Sequence, residues 1–190
     1  MMPRPPCARA EALPGITDYA GPGAEAKVDC DGIVRLAADL LGAPMALLTL
    51  RDRATGDGMR LKALVGLRPE DAAAGATAFH AHAMGAAAGA PLIVPDAGTD
   101  NRFAASPLVA GPPGVRFCVG VPLIGHKGAA VGALSVFDTG PRAALRDGQA
   151  DHLGLLARMA VQRLDYARLQ AVATASSQIA ASTSDATFGA

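Results

Sequence analysis

Residues 115–138 read VRFCVGVPLIGHKGAAVGALSVFD, two apolar runs on either side of a short polar turn. The first run, 115–124, is almost continuously apolar, as expected of a strand buried at the centre of a sheet. GHKG (125–128) has the glycines of a tight turn, and AAVGALSVFD (129–138) returns as a second strand. This pair of strands is the frame on which the rest is placed.

Immediately upstream, TDNRFAASPLVAGPPG (99–114) is rich in turn residues and delivers Arg116 to the edge of the apolar run. Such a segment reads as a loop lidding a pocket on the sheet. Before it, PLIVPDA (91–97) is a brief strand closed by Pro95 and Asp96. MALLTLRD (45–52) is another strand. MRLKALVGL (59–67) alternates Met59, Leu61, Ala63 and Val65 with Arg60, Lys62 and Leu64, the pattern of a half-exposed partner joined to it as a hairpin.

Two helices flank these strands. In VDCDGIVRLAADLLGAP (28–44) the apolar residues Ile33, Leu36, Ala37, Leu40 and Leu41 recur at helical spacing. Asp29 or Asp31 serves as the start and Gly42 with Pro44 as the stop. A second helix is expected over about 145–175. It carries one stripe through Leu153, Ala157, Ala160, Leu164, Ala167 and Ala171, and another through Leu155, Met159, Tyr166 and Leu169. One stripe suffices to dock on the domain's own sheet, so two imply a second helix from an identical chain. Leu153, Ala157, Ala160 and Leu164 are assigned to that pairing. Between 68 and 90 the pattern is ambiguous, with Thr77 a candidate cap for a short helix bearing Phe79, His80, His82 and Met84. Hairpins alternating with helices define an α+β domain around a mainly antiparallel sheet. Residues 1–22, with five prolines, read as a flexible arm, 23–172 as the domain, and 173–190 as linker or tail.

Composition excludes several classes. A formal net charge of zero and a pI near 6.9 give no electrostatic reason for nucleic acid or an anionic membrane as partner. No apolar run approaches the roughly 20 residues of a membrane span, and the N-terminus lacks a signal-peptide core, so a cytoplasmic location is expected. Three cysteines without close spacing imply neither a disulfide framework nor a zinc site. His80 and His82 stand two apart and would diverge on a helix, so no metal is expected there; one buried histidine bonded to backbone and one partly exposed is the simpler reading. Cys118 reads as an inert buried thiol and Cys30 as a thiol in the first turn of a helix. GPGAEA (21–26) lacks the preceding strand of a dinucleotide loop, and neither a Walker motif nor a nucleophile elbow occurs. A non-catalytic domain is expected.

LAADLLGAPMALLTLRD, RLKALVGL, FHAHAM, PLIVPDAGTDNRFAASPLV, VRFCVGVPLI and GALSVFDT follow one another in the order of a GAF domain. The chain resembles the bacterial subgroup at the front of sensor histidine kinases and diguanylate cyclases, over about residues 24–170. The most specific match is D-x-R-F-x-x-x-P-L-V, Asp100 to Val109, ahead of R-F-x-x-G-x-P-L, Arg116 to Leu123. The resemblance implies a six-stranded antiparallel sheet with the N- and C-terminal helices on one face and pocket-forming loops on the other. Phe79, His82, Asp100, Phe103, Arg116 and Cys118 are then the candidate ligand contacts, with Arg116 bonding loop carbonyls or a ligand anion, or pairing with Asp96 or Asp100.

Departures from the family narrow the ligand. His80 stands where relatives often have Cys, and Cys118 where they often have Tyr. The bilin motif and the charged set of cyclic-nucleotide-binding members are not matched, so the cofactor is left unknown. The implied function is that of a small-molecule sensory or regulatory module, homodimeric, joined to a downstream PAS, kinase or cyclase domain. A structural dimerisation module without ligand, or a GAF-fold methionine sulfoxide reductase using the cysteines, are the alternatives.

Overall fold

In α1 (Asp31–Leu41) the residues that face the interior are Ile33, Val34, Ala37, Ala38 and Leu41. Their spacing of three and four lays one stripe on a sheet. The computed structural model describes residues 30–52, 58–86 and 89–187; Asp29 and the arm at 1–22 lie outside them. Leu36, an expected core position, points outward and is 54% exposed, because the sheet takes the face centred on Val34, Ala37 and Ala38. Cys30 is the N-cap residue and Asp31 follows in the first turn, where its charge suits the helix dipole. Gly42 closes the helix in the left-handed conformation at φ 55°, and Ala43 N–H reaches back to the Ala38 carbonyl.

β1 (Met45–Asp52) and β2 (Gly58–Val65) pair antiparallel with a bulge after Leu48. The turn between them lies outside the described residues. α2 (Pro69–Gly75) and α3 (Thr77–Met84) occupy the ambiguous stretch. Thr77 is the first helical residue rather than the cap, which is Ala76. β3 (Leu92–Val94), α4 (Pro107–Ala110), β4 (Phe117–Ile124) and β5 (Ala130–Asp138) follow, and then α5 (Gln149–Thr187). The sheet order is β2-β1-β5-β4-β3, every pair antiparallel. Five strands are described where the resemblance implies six. β4 and β5 are central and nearly fully buried, as their apolar runs require.

Period-two alternation sorts the strand residues into two cores. Leu48, Leu50, Phe117, Val119, Val121, Leu134 and Val136 meet α1 and α5 on one face. Met45, Leu47, Cys118 and Phe137 meet α2, α3 and the 97–115 segment on the other. Gly120 lets α3 seat on that second face: a Cβ there would stand 2.8 Å from the Ala83 methyl.

α5 differs from its expected extent. It runs through 173–187, the stretch composition assigns to linker, because alanine and serine without glycine or proline tolerate helix readily. Its side chains are buried only as far as Ala167 among those described, so the last turns leave the domain.

Candidate functional site

The six residues expected to contact a ligand lie on the loop-bearing face, three of them buried in its core and the others nearer its surface. Phe79 comes from α3, Phe103 from the turn before α4, and Phe137 from β5. Phe79 and Phe103 stack with centroids 4.4 Å apart, and Phe137 meets Phe79 edge-on at 5.2 Å. These rings and Cys118 are each at most 1% exposed. They belong to the second core. Burial pushes the Cys118 thiol far above its ordinary range, so it is neither a nucleophile nor a ready ligand.

His82 and Asp100 sit on the rim. His82 is exposed, its Nδ1 2.9 Å from the Ala78 carbonyl and its ring edge-on to Phe103. Asp100 is held by Arg102 through Nε and Nη2, at 3.0 and 2.6 Å. That bond, with burial opposing it, holds the Asp100 carboxyl below its ordinary range. Arg116 does not pair with Asp96 or Asp100. Its Nη1 donates to the Val109 and Val115 carbonyls at 3.1 and 2.9 Å, while Asp96 accepts from Gly98 N–H. The charge satisfies carbonyls where the chain turns from loop into β4.

The expected lid is likewise part of the core. Phe103, Leu108, Val109 and Val115 are buried, Ser106 Oγ donates to the Gly75 carbonyl at 2.8 Å, and Val115 N–H bonds Leu108 at 2.7 Å. The Pro112–Pro113 peptide is cis. Proline and glycine in this stretch turn the chain tightly enough to drive four apolar side chains back under it.

The polar contact missed in the sequence is between β1 and α3. Thr49 Oγ1 lies 2.7 Å from His80 Nδ1 and 3.3 Å from the Ala133 carbonyl, all buried. The hydroxyl carries one proton, which goes to the Ala133 carbonyl when Nδ1 is protonated and to Nδ1 when it is not. Burial, helped by the Arg51 guanidinium, pushes His80 down to about 4, so it is neutral near pH 7. The only signal was one threonine in an otherwise apolar MALLTL. As expected, one histidine of the pair is buried and the other exposed, though the buried one bonds a side chain rather than the backbone.

On the opposite face the two stripes of α5 exchange roles. Leu153, Ala157, Ala160 and Leu164, assigned to pairing, are at most 5% exposed and pack into this domain's own core against α1 and the sheet. The outward stripe is the other one: Leu155, Met159, Tyr166 and Leu169, joined by Val172 and by Leu36 of α1, each about half to two-thirds exposed. A groove of about 510 Å³ runs between α1 and α5, lined by Ile33, Leu36, Leu156, Met159, Gln162 and Tyr166 among others.

The two helices are tied at the other end by Arg142. It donates to the carbonyls ending α1, Leu41 at 2.5 Å and Gly42 at 3.0 Å, bonds Asp138 and lies over the Phe117 ring. Gln149 adds a bond to the Leu40 carbonyl at 3.0 Å. Burial would raise the Asp138 carboxyl, but the bond and charge of Arg142 together with the backbone N–H groups of Gly140 and Thr139 outweigh it and hold the group below its usual range.

Among the described residues no group of three or more His, Cys, Asp or Glu side chains could hold a metal ion, and no helix is long and apolar enough to cross a membrane. Cys30 and Cys118 lie in the two cores on opposite faces of the sheet.

A cyclic di-GMP phosphodiesterase of Pseudomonas aeruginosa is 37% identical over 75 residues, which are 40% of this chain and 13% of that protein. The chain thus spans a small part of that relative. A domain assigned to a two-component sensor histidine kinase of Sinorhizobium meliloti superposes with a TM-score of 0.54 at 17% identity, over 72% of this chain and 88% of that one. The free methionine-R-sulfoxide reductase of Neisseria meningitidis gives 0.56 at 21% identity, over 76% and 80%. At such identities the likeness is one of fold. The GAF family profile matches residues 28–164, the span from α1 to the middle of α5, and with the helices on one face of the sheet and the packed loops on the other, the chain belongs to the GAF domain family.

Proposed function

We propose that the chain is a non-catalytic sensory or regulatory module of a bacterial signal-transduction protein, cytoplasmic and homodimeric, that passes its state through α5 to an effector such as a histidine kinase or diguanylate cyclase. The observation that carries this is α5: its first turns are welded into the core, and the same helix then leaves the domain. A rigid element with one end inside and one end outside couples any rearrangement of the core to whatever follows. The ligand is a small molecule of unidentified class, and a PAS, kinase or cyclase domain is the partner downstream.

Thermal unfolding against a small-molecule panel tests the sensing part, since a ligand that binds only the folded state raises its stability. A compound that raises the midpoint and alters exchange protection in α5 supports sensing; a panel without effect supports the second reading.

That second reading, a dimerisation module without ligand, is favoured by the Phe79–Phe103–Phe137 cluster, which packs large side chains together on the face that the resemblance assigns to a ligand. A reductase is disfavoured because the two described cysteines lie on opposite faces of the sheet.

A further inference from the structure

We infer that the outward stripe of α5 is the face on which a second copy of this chain docks, with the two helices parallel and in register and Gln162 fixing that register. The inference rests on the dimeric reading above and adds the surface, the direction and the residue that sets the alignment.

Leu155, Met159, Gln162, Tyr166 and Leu169 follow one another at intervals of four and three, the seam spacing of a two-stranded coiled coil. They lie on the opposite side of the helix from Leu153, Ala157, Ala160 and Leu164, which the core already uses. At roughly half to two-thirds exposure, the stripe with Leu36 and Val172 leaves on the order of 100 Å² of each apolar side chain in water. Two copies joined on this face would bury on the order of 1,200 Å², where stable interfaces begin.

Direction follows from the length of the helix. Past Ala167 it continues to Thr187 with no described side chain buried by its own domain. An isolated helix rich in alanine, serine and threonine is marginal in water, and a second helix lying along it would stabilise it. In an antiparallel pair centred on Gln162, the last turns would run beyond the start of the other helix at Gln149 and remain uncovered. A parallel pair covers them throughout.

Gln162 is the one polar residue in the seam from Leu155 to Leu169. In register it meets its own counterpart, and two carboxamides exchange donor and acceptor. A slip of one heptad sets it against Leu155 or Leu169 and strands its amide among apolar groups, which is unfavourable.

The test uses the 190-residue chain with Cys7→Ser, so that added cysteines are the accessible thiols. Sedimentation of the parent is expected to show a dimer. Leu155→Cys, Gln162→Cys and Leu169→Cys, made singly, are each expected to give a self-linked dimer on mild oxidation. Tyr166→Glu with Leu169→Glu should weaken dimerisation at least tenfold with the circular dichroism of the monomer retained, while Ile93→Glu, on β3, should not. Gln162→Leu should keep the helix but admit shifted pairings, seen as cross-links between Met159→Cys on one chain and Tyr166→Cys on the other, seven residues apart. A parent dimer that survives the double glutamate variant, or that links at only one of the three sites, overturns the proposed face or direction and leaves dimerisation standing. A Gln162→Leu protein with unchanged cross-links overturns the role of Gln162. A parent that is monomeric at 100-fold the usual working concentration overturns the dimeric reading itself.

Discussion

The rings of Phe79 and Phe103 lie 4.4 Å apart and within 5° of parallel, one offered by a helix and the other by the turn-rich segment after Asp96. A segment that looks like a mobile cover in the sequence is thereby fastened to the sheet. Phe103→Ala should cost about 3–5 kcal/mol, the range for emptying a buried aromatic site. Denaturant unfolding measures this, and the vacated apolar space should let benzene raise the melting temperature of the variant but not of the parent. A loss below about 1 kcal/mol would mean that the segment is not part of the core.

His80 makes stability depend on pH. Above its ordinary value of 6.5 the ring is neutral folded and unfolded, and it contributes no slope. Between 6.5 and about 4 the unfolded chain takes up a proton that the folded chain refuses, so stability falls as pH falls, by up to about 3 kcal/mol. Urea unfolding from pH 7.5 to 4 should show this slope, and His80→Asn should flatten it.

Thr49→Val removes the hydroxyl that faces Nδ1 and leaves a buried ring nitrogen without its partner. The expected loss is about 1–3 kcal/mol. A neutral outcome would mean that the ring finds another partner, which the imidazole nitrogen-15 shifts would reveal as a change of tautomer.

Arg142 closes α1 with a planar fork, reaching two carbonyls and the Asp138 carboxylate at once. Arg142→Ala should destabilise by about 2–3 kcal/mol, and Arg142→Lys should recover less than half, since one ammonium cannot span the three acceptors. Hydrogen exchange at the last turn of α1 should accelerate in both.

Gly66 has φ 71°, and a Cβ there would stand 1.9 Å from the Pro44 carbonyl oxygen. Gly66→Ala is expected to lose more than about 2 kcal/mol, whereas Gly140→Ala, with open space around it, should stay within about 0.5 kcal/mol. Comparing the two by thermal melting separates backbone strain from a general effect of replacing glycine.

The fold was legible where pattern is local. The apolar run at 117–124 needed only its own composition to be read as a central strand, because no other element buries both faces of eight residues. The alternation in β2, the helical spacing in α1 and the glycine that ends it were equally self-contained. The family motif at Asp100–Val109 and Arg116–Leu123 added the order of the elements.

What local pattern could not reach was the choice among equivalent faces and distant partners. α5 carries two apolar stripes of similar quality, and only the position of the sheet decides that Leu153 and Ala157 go in while Leu155 and Met159 stay out. Leu36 and Val34 exchange places for the same reason. Thr49 with His80 and Arg142 with Leu41 are separated by 31 and 101 residues, so their bonds exist only once the chain has closed on itself. Periodicity encodes which side chains leave water together; it carries no record of which surface they meet, and that is set by packing in three dimensions.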